Sequence, residues 1–368
     1  MTGVHATEMQ TFLTCRLQWF WSAPKPRGLY LEPVSKHIAL TFGTAIHEGL
    51  RHASDDAGSA YEAFKRTLDE ELDGGFHLTF NWMEEETTNV DRQEYYDLGR
   101  SMLQEYYWYA KDHDQRFRTY AAETKWDTNG MSGRFDEVRE DSDGLYVMDF
   151  KTTSRTIDME EWARNSTQGL VYAWAARKLF GNDVQGVIFR FLKKGIPDTY
   201  EKLILKNGTL TTRKTVQNTT TFHAFYHAME IASVMEACKI TVGYAIDRME
   251  NNGLTEPEKN YVQILMQSAN VVYAGILREL CDHNPFIWDV PVPTSKEYLD
   301  RMEKMLILPT AKLMAGRPFV GPTGLGTSSY DSPCKWCSFK EPCRSVRRES
   351  SGEYKRILHT QFKERSDQ

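Results

Sequence analysis

Residues 145–148, Leu-Tyr-Val-Met, form an apolar run that closes on an acid, Asp149, and Asp141-Ser142-Asp143-Gly144 stands directly before it. A polar tetrad ending in glycine between β-prone runs is a hairpin signal. The spacing therefore predicts strands at 132–139 and 144–150, with a third at 116–127. A helix is expected from about Met159 to Phe180, stopped by Gly181 as a residue suited to a helix C-terminus. Residues 184–192, from Val184 to Leu192, read as a fourth, buried strand. Strands and helices in this order place the chain in the α/β class, built around a sheet.

Side chains alternate along a strand, so Asp149 and Lys151 project from one face. The hairpin brings the strand bearing Asp136, in Gly133-Arg134-Phe135-Asp136, alongside them. Two carboxylates are a minimal anchor for a hard cation such as magnesium or manganese. Such an ion activates water and neutralises charge building on a phosphate, while a lysine can position that water and screen the charge. An isolated Asp-x-Lys on an exposed strand means little. Here the acid ends an apolar run, where a solvated charge is not expected.

The remainder of the chain reads as mostly helical. Residues 7–22 suggest a helix carrying Cys15, Trp19, Phe20 and Trp21, followed by a loop with Pro24, Pro26 and Pro33. A second helix is expected from Gly43, with Ile46 and Leu50 on its apolar side, then a helical, acidic stretch at 60–112 whose Glu84-Glu85-Glu86 run reads as a solvated face. Helices are expected again from about 215 to 282 and near 295–316, before a Gly/Pro/Ser-rich loop at 317–333. The expected organisation is one compact unit: an N-terminal segment 1–42, a core 43–200 with a helical insertion at about 55–115, a helical region 201–316, and a C-terminal segment 317–368. No run of about 18 apolar residues predicts a membrane span, and Met1 to Thr14 does not read as a secretory signal, so the expected setting is cytoplasmic. The net charge of −6 opposes a wholesale basic coat without excluding a local basic groove. From Lys335 onward nine basic residues face five acids, a candidate phosphate-binding surface or simply a solvated tail.

Six cysteines are too few for a disulfide scaffold, and Cys334-x₂-Cys337-x₅-Cys343 reads first as a set of metal ligands. Three thiolates leave a tetrahedral site one short, so a fourth must come from elsewhere, and both zinc and an iron–sulfur cluster fit. Cys238 and Cys281 fall outside this pattern, in helical apolar contexts that predict buried free thiols. Trp19, Trp21 and Trp336 could stack on unpaired bases or shield a cluster, and the second reading is favoured.

Gly133-Arg134-Phe135-Asp136 followed by Asp149-Phe150-Lys151-Thr152 resembles the signature of the PD-(D/E)xK nuclease superfamily, RecB-like branch. His47, in Gly43-Thr44-Ala45-Ile46-His47, resembles the helix histidine that such enzymes use as an additional metal ligand. Gln168-Gly169-Leu170-Val171-Tyr172 resembles their Gln-x-x-x-Tyr motif, which puts Gln168 and Tyr172 on one helix face. The resemblance implies a restriction-endonuclease-like core (helix, three strands, helix, strand) with large helical insertions. It implies a metal held by His47, Asp136, Asp149 and the backbone carbonyl of Phe150, with Lys151 assisting the water and Gln168 and Tyr172 in support. Glu123, on the preceding strand, is left outside this set.

One early cysteine with a distant Cys-x₂-Cys-x₅-Cys is similar to the iron–sulfur clasp of CRISPR-associated RecB-like exonucleases and AddB-type nuclease domains. It implies a [4Fe-4S] cluster on Cys15, Cys334, Cys337 and Cys343, zinc being the alternative. The implied activity is hydrolysis of DNA, as an exonuclease on single strands or free ends, 5′ to 3′ by resemblance. Recombination, repair, phage DNA processing and CRISPR adaptation are the implied settings, with a possible helicase, recombination or CRISPR adaptation protein as partner. No Gly-x₄-Gly-Lys-[Ser/Thr] phosphate loop occurs, so an unwinding motor would be another chain. The rival reading is a catalytically silent DNA- or partner-binding module of the same fold.

Overall fold

The computed structural model describes residues 3–33, 35–53, 56–73, 77–79, 92–181, 183–316, 337–347 and 351–364. Strand β1 (Val4–His5) leads into helices α1 (Ala6–Thr14) and α2 (Arg16–Ser22), then β2 (Leu31–Pro33), β3 (Ser35–His37) and α3 (Ile38–His52). Next come α4 (Ala57–Asp73), β4 (His77–Thr79) and α5 (Arg92–His113), followed by β5 (Arg118–Thr128), β6 (Met131–Asp141) and β7 (Gly144–Thr153). Helices α6 (Met159–Arg164) and α7 (Thr167–Phe180) cross over to β8 (Val184–Lys193). A helical region follows: α8 (Tyr200–Leu203), α9 (Lys214–Gln217), α10 (Phe222–Cys238), α11 (Val242–Glu250), α12 (Glu256–Val272) and α13 (Ala274–Asp282). The chain returns to the sheet as β9 (Ile287–Pro293). It continues through α14 (Lys296–Met302), a π-helical turn at Glu303–Ile307 and α15 (Leu308–Ala315), and ends in α16 (Lys340–Arg347), α17 (Ser351–Gln361) and β10 (Phe362–Glu364).

The central sheet is mixed and six-stranded. β7 and β8 run parallel, as the crossover through α6 and α7 requires, and β9 closes the far edge antiparallel to β8. β8 is buried almost end to end, and its side chains divide between two cores. Val187, Phe189 and Phe191 face Val171, Trp174 and the α1 residues Met9 and Phe12. Leu192, with Phe150 and Ile287, faces Phe42 and Ile46 of α3, Phe64 of α4 and Leu103 and Tyr106 of α5. Gly99 lets α5 approach α4, since a Cβ there would stand 2.2 Å from the Phe64 ring. A separate core of Leu203, Phe225, Met229, Met266 and Leu280 holds the helical region.

The expected helix, three strands, helix, strand order is present, with differences that have physical causes. The N-terminal helix breaks at Cys15, whose backbone is extended (φ −156°, ψ 110°). The helix expected at 159–180 is two helices: Ser166 caps α7, its hydroxyl accepting from Gly169 N at 3.3 Å. Gly181 ends α7 with φ 92°, as the sequence predicts. The helix expected from Gly43 starts earlier, at Ile38, and the stretch 60–112 contains two helices, α4 and α5; Glu84, Glu85 and Glu86 lie outside the described residues. The helix expected at 295–316 is interrupted by its π turn. Two strands of the central sheet were not anticipated, nor were the short strands β2, β3, β4 and β10. β1 is only two residues long, and β9 carries Pro291 and Pro293, tolerable because β9 is an edge strand. Cys238 is half-buried, 3.6 Å from Glu258 Oε1, and Cys281 is exposed, so the expectation of two buried thiols is corrected.

The two ends of the chain meet. β10 pairs antiparallel with β2, Phe362 opposite Pro33 and Glu364 opposite Leu31. Cys15, Cys337 and Cys343 pack around Leu17, Trp21, Phe339, Ile357 and Phe362, while Cys334 and Trp336 lie outside the described residues. Trp19 is fully buried with its indole N–H on Glu8, and Trp21 lies 5.3 Å from the Phe339 ring. Both are core residues rather than exposed stacking platforms. No described helix is long and apolar enough to cross a membrane.

Candidate active site

The hairpin strands part where the acids sit. The β6–β7 ladder ends at Glu137 opposite Met148, one step before Asp136 would face Asp149. β5 covers the other edge of β6 from Met131 to Glu140, so β1, at Met131 and Ser132, lies on the edge that β7 has left. Between these two partners the 133–136 stretch of β6 has no strand partner on that edge among the described residues. Two carboxylates directly opposite each other would repel, and the divergence opens a gap between them. Asp136 fills part of it by accepting a hydrogen bond from Phe150 N at 3.0 Å. In a strand the N–H and C=O of one residue point to the same side, so the Phe150 carbonyl also faces Asp136.

Asp149 is buried at 1% exposure beneath the gap. Gln168 Nε2 donates to its Oδ1 at 3.2 Å, because α7 lies over β7 with Gln168 on its buried face. Lys151 Nζ stands 2.6 Å from Asp149 Oδ2, yet that oxygen has no aligned hydrogen bond. Burial raises the Asp149 carboxyl above the usual range, against the pull of the Lys151 ammonium. Burial also raises Asp136, against its Phe150 hydrogen bond and Lys151. α3 brings His47 to the same place, Nδ1 lying 3.5 Å from Asp136 Oδ2. Burial and the Lys151 charge lower its pKa, which favours the neutral imidazole that a metal ligand needs. Tyr172 packs edge-on against Phe135, and burial with the nearby Asp149 charge raises its hydroxyl pKa.

The structure thus gathers His47, Asp136, Asp149, Phe150, Lys151, Gln168 and Tyr172 at one break in the sheet. Among the described residues, no three His, Cys, Asp or Glu side chains stand close enough to form a metal site by themselves. The donor set nonetheless suits a hard cation: two desolvated carboxylates, one with an unaligned buried oxygen, beside a neutral imidazole.

Of the surrounding charges, sequence reasoning noted only Glu123, and left it outside the site. Glu123 Oε2 meets Arg51 at 2.7 Å and Arg134 at 2.9 Å. Arg51 could have been noticed as the residue one turn beyond His47. On the sheet's α5 side, Arg190 is buried between Asp114 and Asp289, with Arg139 sharing Asp114; these are distant in sequence and carried no local signal. Part of the basic tail is engaged locally, Lys363 with Glu32 at 3.7 Å.

Comparison with curated proteins finds no match. A sequence model described as the PD-(D/E)XK nuclease superfamily, whose members are generally nucleases and usually use magnesium or manganese, matches residues 5–344. That span takes in the sheet from His5 to Pro293 and every described residue around the break in it, and the chain belongs to the PD-(D/E)XK nuclease superfamily.

Proposed function

We propose that this protein hydrolyses DNA phosphodiester bonds with magnesium or manganese, acting on single strands or free ends. The observation that carries the reading is the convergence of Asp136, Asp149, His47 and Lys151 at the parted strands. His47, Asp136, Asp149 and the Phe150 carbonyl would hold the ion. When bound, the ion supplies an activated water and a counter-charge for the phosphate. Lys151, 27% exposed, reaches from the strand face to orient that water and screen the developing charge. Gln168 holds the Asp149 carboxylate in one orientation, and Tyr172, one turn on along α7, stands beside both.

Cys15, Cys334, Cys337 and Cys343 would bind a [4Fe-4S] cluster that would secure the two chain ends, zinc being the alternative. The apolar pocket shared by three of them supports this part. The RecB-like branch, 5′ to 3′ polarity and a role in recombination, repair, phage DNA processing or CRISPR adaptation rest on the motif resemblance alone.

The test is cleavage of end-labelled single-stranded DNA with manganese by anaerobically purified protein. Activity should fall about a hundredfold or more in Asp149→Ala and Lys151→Ala. DNA bound but left uncut by wild type with every metal tried would favour the silent binding module.

A further inference from the structure

Six described non-glycine residues have positive φ. Tyr30, Asn129, Asp158, Lys239 and Asn252 lie in turns, loops or helix ends, whereas Glu123 (φ 48°) lies inside strand β5. Such a conformation costs on the order of 1–3 kcal/mol and persists only where something holds it. What Glu123 gains is contact with two arginines, Arg51 at 2.7 Å and Arg134 at 2.9 Å. Part-exposed ion pairs of this kind contribute roughly 0–1 kcal/mol each. At the middle of both ranges the two pairs fall short of the strain, so stability alone does not account for the arrangement.

Its position suggests what does. Arg51 follows His47 by one turn of α3, and Arg134 precedes Asp136 by one strand repeat of β6, so each lies on the same face as a residue of the break. Arg51 is braced on its other side by Glu48 at 2.6 Å. Arg134 is 48% exposed, and its guanidinium has no aligned hydrogen bond among the described residues, which leaves donors open to solvent. A guanidinium is a planar fork that fits phosphate oxygens two at a time.

Building on the nuclease reading, we propose that Arg51 and Arg134 bind the phosphate next to the one being cut, and that Glu123 is the positioning residue holding both guanidiniums in line. The ligand is thus the backbone of a nucleic acid strand, gripped on the face of β6 where the Cα atoms of Arg134 and Asp136 stand about 6–7 Å apart, two residues of strand rise.

The experiment is equilibrium binding of a fluorescent single-stranded oligonucleotide to the full chain in EDTA, across a salt series, with melting curves as a folding control. Arg51→Gln and Arg134→Gln should each weaken binding and flatten the plot of log K against log salt by about 0.7. Arg134→Gln is exposed enough to keep the fold if Arg51→Gln does not. Glu123→Gln, which removes the competing anion, should bind at least as tightly as wild type, yet in manganese its kcat should fall severalfold with no rise in KM. Salt slopes unchanged in a folded arginine variant would overturn the phosphate site. An unchanged kcat in Glu123→Gln would overturn the positioning role. A wild type that cuts DNA while the slopes stay put refutes only this site. A wild type that binds without cutting, with slopes flattened in the variants, refutes the cleavage reading and upholds the site. No binding at all overturns both.

Discussion

Arg190→Met should destabilise the fold by about 3–5 kcal/mol, the cost of removing one partner from a buried ion pair. The Arg190 side chain is 0% exposed and makes four aligned hydrogen bonds, two to Asp114 at 2.6 and 2.7 Å and two to Asp289 at 2.7 Å. Methionine fills much of the volume, so most of the loss comes from stranded charge rather than from a cavity. Asp289, 25% exposed, can be rehydrated; Asp114, 13% exposed, cannot, and retains only Arg139. The two causes separate by pH. Burial alone would raise the Asp114 carboxyl, but hydrogen bonds and charge from Arg190 and Arg139 outweigh it and hold the group below the usual range. A depressed carboxyl contributes stability that is present above its unfolded pKa and lost as pH falls through the folded one. The deficit of Arg190→Met should therefore be full near neutrality and shrink toward about pH 4, where the stranded Asp114 takes up a proton. Urea unfolding at both pH values measures it, and adding Asp114→Asn should recover about 1–3 kcal/mol of coupling. A deficit under about 1 kcal/mol, or one equal at both pH values, would refute the stranded-charge argument.

Glu105 Oε2 is buried without a hydrogen bond, and burial raises that carboxyl to about 7. A raised acid destabilises the fold as pH climbs from its unfolded pKa through its folded one. Glu105→Gln should thus match wild type near pH 4 and exceed it near pH 9 by at most about 3 kcal/mol in thermal or urea unfolding. Equal stability at both ends would count against this burial. Gln168→Ala frees Asp149 Oδ1 from its donor and should slow DNA cleavage about tenfold with only a modest fall in melting temperature, the cost of one unsatisfied buried oxygen. A large drop in melting temperature would make Gln168 a packing residue instead. Cys15→Ser should lower iron or zinc content, read by elemental analysis, and lower the melting temperature; unchanged metal content would remove Cys15 from the cluster.

Several features could be read before any fold was known, because they are local. The Asp141–Gly144 turn and the alternation along 144–151 determine which strands pair and put Asp149 and Lys151 on one face. Gly181 ends its helix for its own backbone reason. The spacing of Gln168 and Tyr172 was legible on the same terms, as a shared helix face. Local geometry also brought Asp136 beside Asp149 and Lys151 across the hairpin; that His47, Gln168 and Tyr172 join them was implied only by the resemblance.

Tertiary structure alone decided that β6 and β7 part at Asp136 and Asp149, and that β1, a two-residue strand from the far N-terminus, takes the vacated edge at Met131 and Ser132. It also decided that Glu123 reaches two arginines, since only a reversal of backbone hand inside β5, paired against β6, carries it there. Asp114, Arg139, Arg190 and Asp289 could not be read as a group for a similar reason. A buried charge takes whatever partner the packed sheet brings within about 3 Å, however many residues separate them along the chain.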